Sequence, residues 1–301
     1  MNWPALKELR EIFLGESVSA NEDYWTSPEL LEAYDATFAQ RIGWKWDAVL
    51  AELRLCGWQP ASETLVDWGC GTGIAARKFL AMFGADTVRQ IQLFDRSKPA
   101  ADFAVKKLSE TFSGTLSNSA EIPTGAVVLL SHVLNELSTR NLNSLLDSLA
   151  GASAVIWVEP GTPAHSQRLI AIREKLRAIF SFVAPCPHQN RCGLLAKERA
   201  EDWCHHFAKP PGGIFQQSEW SRFSKELKID LRSLPVSYLV FAKAAIPKPE
   251  PAQRFLGRAR MYKGHAKVLV CRDSEVVEEQ ILQRKNKVRF RKLKEGAFVE
   301  R

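Results

Sequence analysis

Two groups of residues in this 301-residue chain have types and spacings that can do chemistry. The first is the stretch VDWGCGTGIAARKFL, which places Asp67, Gly69, Cys70, Gly71 and Gly73 between an apolar strand-like run and a helix-like one. Glycines let a backbone turn tightly and let a ligand approach it closely. The helix that follows points its N-terminus at whatever sits there. Asp95 ends the next strand-like run, IQLFD, twenty-two residues after Gly73. In a doubly wound sheet an acid at that position faces the ribose of a nucleotide-like ligand. A nicotinamide dinucleotide site calls for G-x-G-x-x-G, whereas this loop reads G-x-G-x-G with Asp67 two residues before the first glycine. A tight turn without a ligand is the alternative, and on either reading Cys70 is a small turn residue and not a nucleophile.

The second group is cysteine. Of six, Cys56 and Cys70 lie in the N-terminal half, and Cys186, Cys192, Cys204 and Cys271 follow with 5, 11 and 66 residues between them. Zinc sites usually pair cysteines two to four residues apart, and ferredoxin-like runs repeat two-residue gaps. Neither spacing occurs, so a four-cysteine metal site and scattered buried thiols both remain open. Context favours metal for three of them. Cys186 and Cys192 lie in APCPHQNRCGLL, a Pro-broken polar loop with nothing apolar nearby to pack against, and Cys204 sits in DWCHHF beside His205 and His206. Cys271 ends an apolar strand, where a plain core thiol is equally reasonable. For a zinc ion, His188, His205 or His206 is able to replace a cysteine.

The elements that must position these groups follow from pattern. Residues 1–60 read as helical, with Ser27 as a cap and Pro28 at a first helical position. From 61 to 180, strands (ETLVDWG, IQLFD, AVVLLSH, SAVIWVEPG) alternate with helices (IAARKFLAMFG, PAADFAVKKLSETF, TRNLNSLLDSLAG, HSQRLIAIREKLRAIF). That alternation predicts a mostly parallel sheet covered on both faces. Residues 181–213 form a Cys-rich insertion. Residues 214–272 return to the core sheet through SEWSRFSKEL, VSYLVFAKA and HAKVLVCR, the last two separated by a Pro-rich basic connection. Residues 273–301 form a basic, strand-like extension.

Composition bounds the function. The hydrophobic fraction of 46 % is ordinary for a globular chain, and no run of eighteen apolar residues is present. Glu8, Glu11, Glu16, Glu22 and Asp23 near the start fit neither a secretory nor a mitochondrial leader, so a cytoplasmic, disulfide-free protein is expected. The net charge of +7 is uneven: from Lys243 to Arg301 there are 16 Lys and Arg against 7 Asp and Glu. Such a basic end suits an anionic polymer or a solubilising tail. The RNA-contact candidates are Arg254, Arg258, Arg260, Lys263, Lys267, Lys285, Lys287, Arg289, Arg291 and Lys292, with Phe290 among them as a base-stacking ring.

Two resemblances sharpen this. GCGTG with its preceding acid resembles motif I of the S-adenosylmethionine-dependent methyltransferases. That implies a doubly wound, Rossmann-like class I α/β sheet, with Asp67 serving the positively charged methionine end, Asp95 the ribose hydroxyls, and Ser131 also on the cofactor side. The blocks WVEPGTP, APCPH, DWCHHF and GRARMYKGHAKVLVC together resemble the Rsm-twenty-two family, methyltransferase-like proteins of the small ribosomal subunit, over roughly Thr64 to Arg301. This resemblance implies a [4Fe–4S] cluster held by Cys186, Cys192, Cys204 and Cys271, and a role in small-subunit assembly or translation through its RNA. The chain departs from the family pattern at Gly193, where proline usually follows the second cysteine, and in a longer gap from Cys192 to Cys204. The missing import leader points to a bacterial-type member. A monomer is expected, with no membrane and no DNA partner.

Catalysis is less legible. The segment after the fourth strand reads SHVLNELS, without the Asn/Asp-Pro-Pro-Tyr-like block of nucleobase-nitrogen methylation. No cysteine nucleophile ends that strand or the next. His132, Asn135, Glu136, Glu159 and His165 are the candidates at the strand ends, where open α/β sheets bind ligands. His132 or Glu136 is placed to act as a base; Asn135 and Glu136 equally suit a helix cap, and Glu159-Pro160-Gly161 a rigid wall. A radical enzyme would need a tight three-cysteine motif, which is missing. Two functions therefore stand: an RNA methyltransferase, or a non-catalytic assembly factor that keeps the fold.

Overall fold

The computed structural model describes residues 1–14, 25, 27–248 and 252–294. Helices α1 (Trp3–Leu14), α2 (Pro28–Asp35) and α3 (Phe38–Leu55) come first. Ser27 Oγ accepts from Leu30 N at 3.3 Å and Pro28 occupies the first turn, the capping expected from the sequence.

The central sheet contains β1 (Thr64–Trp68), β2 (Gln90–Phe94), β3 (Thr115–Ser117), β4 (Val127–Ser131), β5 (Ala154–Pro160), β6 (Ser181–Ala184), β7 (His206–Ala208) and β8 (Leu234–Ala242). Its order is β3-β2-β1-β4-β5-β8-β6, with β7 also on β8. β1 to β5 pair in parallel and β8 runs antiparallel to β5, β6 and β7. The intervening helices are α4 (Ile74–Phe83), α5 (Lys98–Ser109), α6 (Thr139–Leu149) and α7 (Pro163–Leu176), followed by α8 (Ser218–Leu227) before β8. Both faces are covered. Trp46, Leu50 and Phe79 pack on one face with Leu65, Ile91 and Leu129. Leu145, Leu149, Leu169 and Ile172 pack on the other with Val66, Val128 and Trp157. Apolar runs such as VVLLS need this two-sided burial, as parallel strands do.

Three expectations change. The Cys-rich segment is not a separate insertion, because it contributes β6 and β7 to the outer edge of β8. HAKVLVCR does not belong to the core sheet. It is β10 (His265–Arg272), the middle of a second, antiparallel sheet with β9 (Gln253–Tyr262) and β11 (Glu275–Leu282). Much of the "connection" before it is therefore strand, its arginines alternating with smaller and apolar residues along β9. Finally, Lys287–Lys294 is a helix, α9, and not strand. Phe290 and Leu293, one helical turn apart, face one way and pack on Phe255, Val268 and Ile281. Phe290 is thus a core ring and not a base-stacking one.

Candidate functional site

The glycine loop is fastened to the end of β2. Gly69 N and Cys70 N both donate to Phe94 O, at 2.7 and 2.9 Å. Gly71 N donates to Asp95 Oδ2 at 2.8 Å, and Ser97 N to Asp95 Oδ1 at 2.9 Å. Gly69 has φ +74, and a Cβ there would stand 2.4 Å from Val133 Cγ1, so only glycine fits. Beside the loop opens a cavity of about 500 Å³ lined by Trp68, Asp95, Arg96, Ile122, Val133 and Asn141, among others. Its size falls in the range of small-molecule sites, and it lies at the carboxyl ends of the strands, at the switch in strand order between β1 and β4.

Asp67 takes a different place from the one its motif implies. It is fully buried behind the loop, accepts from Ala76 N at 3.1 Å, and is not among the residues lining either cavity beside the loop. Burial pushes its carboxyl up to about 7. Burial likewise raises the Cys70 thiol well above its usual range, which suits a packed turn residue and not a nucleophile.

A second, smaller cavity of about 80 Å³ adjoins the loop and meets Ser131, His132 and Glu136. Trp25, Tyr34 and Ile42 of the N-terminal region close it. His132 has φ +58, unusual for a residue with a side chain, and such strain gathers at functional sites. Its Nε2 lies 3.5 Å from Lys45 Nζ, and burial together with that cation keeps the imidazole neutral. Lys45 is itself pushed down to about 7, mainly by burial. Trp46 Nε1 donates to Ser131 Oγ at 2.9 Å. Glu159 is not poised on a substrate: its Oε1 accepts from Val133 N, Leu134 N and Trp157 Nε1 at 3.0, 3.1 and 2.8 Å, so it holds the loop after β4 in place. Burial raises its carboxyl to about 7. His165 is held by Thr162 Oγ1 at 2.7 Å and lies 4.0 Å from Glu159. Asn135 and Glu136 are exposed in a short 3-10 turn, with Glu136 3.4 Å from Arg96.

The four late cysteines do converge. Cys186, Cys192 and Cys204 line one small cavity with Arg173 and Ile170. Cys192 and Cys204 also pack on the cluster that contains Cys271, with Ile170, Leu256 and Val276, and Cys186 packs on the core face bearing Phe182 and Leu239. The expectation that Cys186 and Cys192 lack apolar neighbours is therefore corrected; those neighbours arrive from distant segments. All the described cysteines are free of disulfides. The thiols of Cys192, Cys204 and Cys271 are raised by burial first and then by the charges of the other cysteines. His188 and His206 stand beside Cys271 and Cys204, at 3.6 and 3.8 Å. His205 instead stacks on Trp203, its ring against Gly257. Among the described residues no group of three or more His, Cys, Asp and Glu side chains could hold a single metal ion.

Sequence reasoning missed the consecutive pair that holds this loop. Arg173 Nε donates to Cys186 Sγ at 3.2 Å and its Nη2 to His188 O and Asn190 O at 3.2 and 2.7 Å, while Glu174 accepts from Cys192 N at 3.2 Å. A signal existed: Arg173 lies one turn from Leu169 and from Leu176, on the apolar stripe of α7. Lys45, one turn from Ile42 and from Val49 on α3, carried a similar signal.

The basic candidates divide. Arg254 is buried and binds Glu52 and Tyr238 Oη, both at 2.8 Å, so it joins the two sheets and is not an RNA contact. Arg260 and Lys267 pair with Glu278, and Arg289 with Glu279. Arg258 lies 4.0 Å over the Phe207 ring. Lys263, Lys285, Lys287, Arg291 and Lys292 are exposed.

The family model described as "Mitochondrial small ribosomal subunit Rsm22" matches residues 36–299. Among curated proteins, none matches. Solved structures with likeness include PH1948 from Pyrococcus horikoshii (TM-score 0.41, 14 % identity, covering 80 % of this chain and 99 % of that one). N-methyltransferase NodS from Bradyrhizobium japonicum WM9 has a TM-score of 0.41 at 13 % identity, covering 69 % and 98 %. The plantazolicin methyltransferase BpumL in complex with SAH has a TM-score of 0.36 at 12 % identity, covering 80 % and 99 %.

Proposed function

The chain belongs to the Rsm22 family, and from that premise we propose that it is an S-adenosylmethionine-binding, methyltransferase-like protein that works on or with the RNA of the small ribosomal subunit. The observation that carries the reading is the clasp between Gly71 N and Asp95, opening onto the 500 Å³ cavity. Asp95 is placed to accept from ribose hydroxyls, and Trp68, Ile122 and Val133 supply apolar walls for an adenine. When bound, S-adenosylmethionine supplies a methyl group on a sulfonium. Calorimetric titration with S-adenosylmethionine and S-adenosylhomocysteine tests the reading. Saturable binding that Asp95→Ala weakens is expected, and a chain that binds neither ligand sinks it.

The four-thiol site fits a [4Fe–4S] cluster better than zinc. Its donors are all sulfur, Cys186, Cys192 and Cys204 line one cavity while Cys271 packs beside Cys192 and Cys204, and among the described residues they do not close on one point as a single ion requires. Such a cluster supplies covalent ties to Cys186, Cys192, Cys204 and Cys271. It would fasten the edge of the central sheet to the second sheet, and not an insertion to the core. Anaerobic purification should give a brown protein absorbing at about 400 nm, with roughly four irons per chain. A colourless preparation with stoichiometric zinc refutes the cluster.

A second reading has its own observation. The cavity that meets Ser131 and His132 measures about 80 Å³ and is closed by Trp25, Tyr34 and Ile42, well below the size of a typical ligand site. That favours an assembly factor that binds the cofactor without transferring its methyl group. Mapping modified nucleotides in small-subunit RNA from deletion and parent cells separates the two. A modification lost on deletion establishes transfer, and an unchanged map establishes the non-catalytic role.

A further inference from the structure

The corner of the second sheet where β9 turns into β10 carries an arrangement that neither the glycine loop nor the cysteines use. Tyr262 is 48 % exposed and Met261 39 %. The Tyr262 ring lies almost parallel to His265, with centroids 4.8 Å apart and 7° between planes. The turn joining them is Lys263-Gly264, with Gly264 at φ +81. His265 also pairs with Leu282 of β11, so the chain leaves β11 at this same corner. There Gly264, Leu282, Gln283, Arg284 and Lys287 line an open cavity of about 370 Å³, and Gln283 N donates to Gly264 O at 3.0 Å.

Charge is polarised along the sheet. Glu278 and Glu279 offset Arg260, Lys267, Arg272 and Arg289. The sequence has no Asp or Glu from Arg258 to Arg272, nor from Gln280 to Lys294, and the latter stretch contains Arg284, Lys285 and Lys287. The corner therefore joins an exposed ring, Tyr262, stacked on the half-buried His265, to a basic cavity.

We propose that this corner binds an unpaired stretch of RNA, one base stacking on the Tyr262–His265 pair and a neighbouring phosphate lying at Arg284 and Lys287. Aromatic side chains hold single-stranded nucleic acid through the π-face common to every base. A duplex hides those faces, so such a platform selects unpaired nucleotides. The cations supply affinity by releasing counterions from the backbone. An acidic peptide would satisfy the cations but has no counterpart for the paired rings. The choice of RNA as the polynucleotide rests on the ribosomal reading above.

The test is fluorescence anisotropy of the full chain with a short, fluorescein-labelled single-stranded oligouridylate, repeated over a range of salt. Tyr262→Ala should weaken binding by about fivefold to a hundredfold, whereas Tyr262→Phe should keep the parent affinity. The Arg284→Ala/Lys287→Ala variant should lower the salt slope by about one to two. A duplex of the same length should compete poorly. Melting temperatures equal to the parent's exclude a folding defect, because these side chains lie on the surface. Parent-like affinity in Tyr262→Ala, or a duplex that competes as well as the single strand, overturns the proposal. A chain that binds oligouridylate with no dependence on Tyr262 loses this inference alone. One that binds no single-stranded RNA loses the ribosomal reading with it.

Discussion

Arg173 and Cys186 are joined by a 3.2 Å hydrogen bond from a guanidinium that is 2 % exposed to a thiol in the loop between β6 and β7. The same guanidinium stacks 4.3 Å from the Phe182 ring centroid and binds two carbonyls of that loop, and its neighbour Glu174 takes the Cys192 N–H. Two consecutive residues of one rigid helix thus fix the positions of two cysteines. Arg173→Met fills similar space but strands the two carbonyls and removes one of the cations beside Glu174, which keeps Arg177 and the Cys192 N–H. Breaking a buried pair this way costs about 3 kcal/mol. A lower melting temperature and faster protease cleavage within residues 186–199 are expected, in metal-free protein as well. An unchanged cleavage rate would show that the loop does not depend on Arg173.

Gly69→Ala tests the glycine loop by shape alone. The added Cβ meets Val133 Cγ1 at 2.4 Å and sits at φ +74, so the loop or the segment after β4 must move. Strain of this kind costs about 1–3 kcal/mol, and the displaced wall belongs to the 500 Å³ cavity. Affinity for S-adenosylhomocysteine should fall at least tenfold by calorimetry. Asp95→Ala should match it by a different route, since it removes the charged acceptor and leaves Gly71 N and Ser97 N unpartnered.

How much of this was readable depended on whether the pattern was local. The glycine loop, Asp95 and the alternation from Thr64 to Leu176 follow from neighbours in sequence, and the structure contains each of them. Cys271 shows the limit. Strand periodicity identified HAKVLVCR as a strand, but periodicity does not say which sheet a strand joins, and its partners are β9 and β11. The helix at Lys287–Lys294 was hidden because only Phe290 and Leu293 in a basic run report its packed face. The neighbours of Cys192 come from Ile170, Leu256 and Val276, which no local window contains. Net charge marked the C-terminal segment as basic but could not show that Arg260, Lys267 and Arg289 face acids on β11.

Glu159 gives a pH signature. Its usual pKa of 4.5 is raised to about 7 in the folded chain by burial. Below 4.5 both folded and unfolded chains hold the proton. Between 4.5 and about 7 the unfolded chain gives it up more readily, so this group lowers stability as pH rises, on the order of 3 kcal/mol in all, and adds nothing further above that. Glu159→Gln keeps an oxygen for the three N–H donors but cannot ionise. Its stability relative to the parent should therefore climb from pH 4.5 to 7 and then level off, as read from urea midpoints. Asp67→Asn should show the same shape, beginning nearer 3.8. A difference that stays flat across this window rules out the raised Glu159 carboxyl.

Arg254 decides whether the basic end acts by charge or by architecture. It lies opposite Cys271 across β9 and β10, and it reaches Glu52 on α3 and Tyr238 on β8. It is one of the ties, with Gly257 N to His205 O and Arg258 over Phe207, that bring the second sheet, and with it Cys271, to the edge of the first. Arg254→Met leaves Glu52 without its cation and removes a donor from Tyr238, a loss of about 3–5 kcal/mol for a buried pair. The melting temperature should drop, and if the proposed cluster is present, iron retained per chain should drop with it, because Cys271 is no longer held against Cys192 and Cys204. The salt slope of RNA binding should stay at the parent value, since a buried guanidinium displaces no counterions from RNA. A variant that melts like the parent but loses salt-dependent RNA affinity would return Arg254 to the nucleic-acid surface.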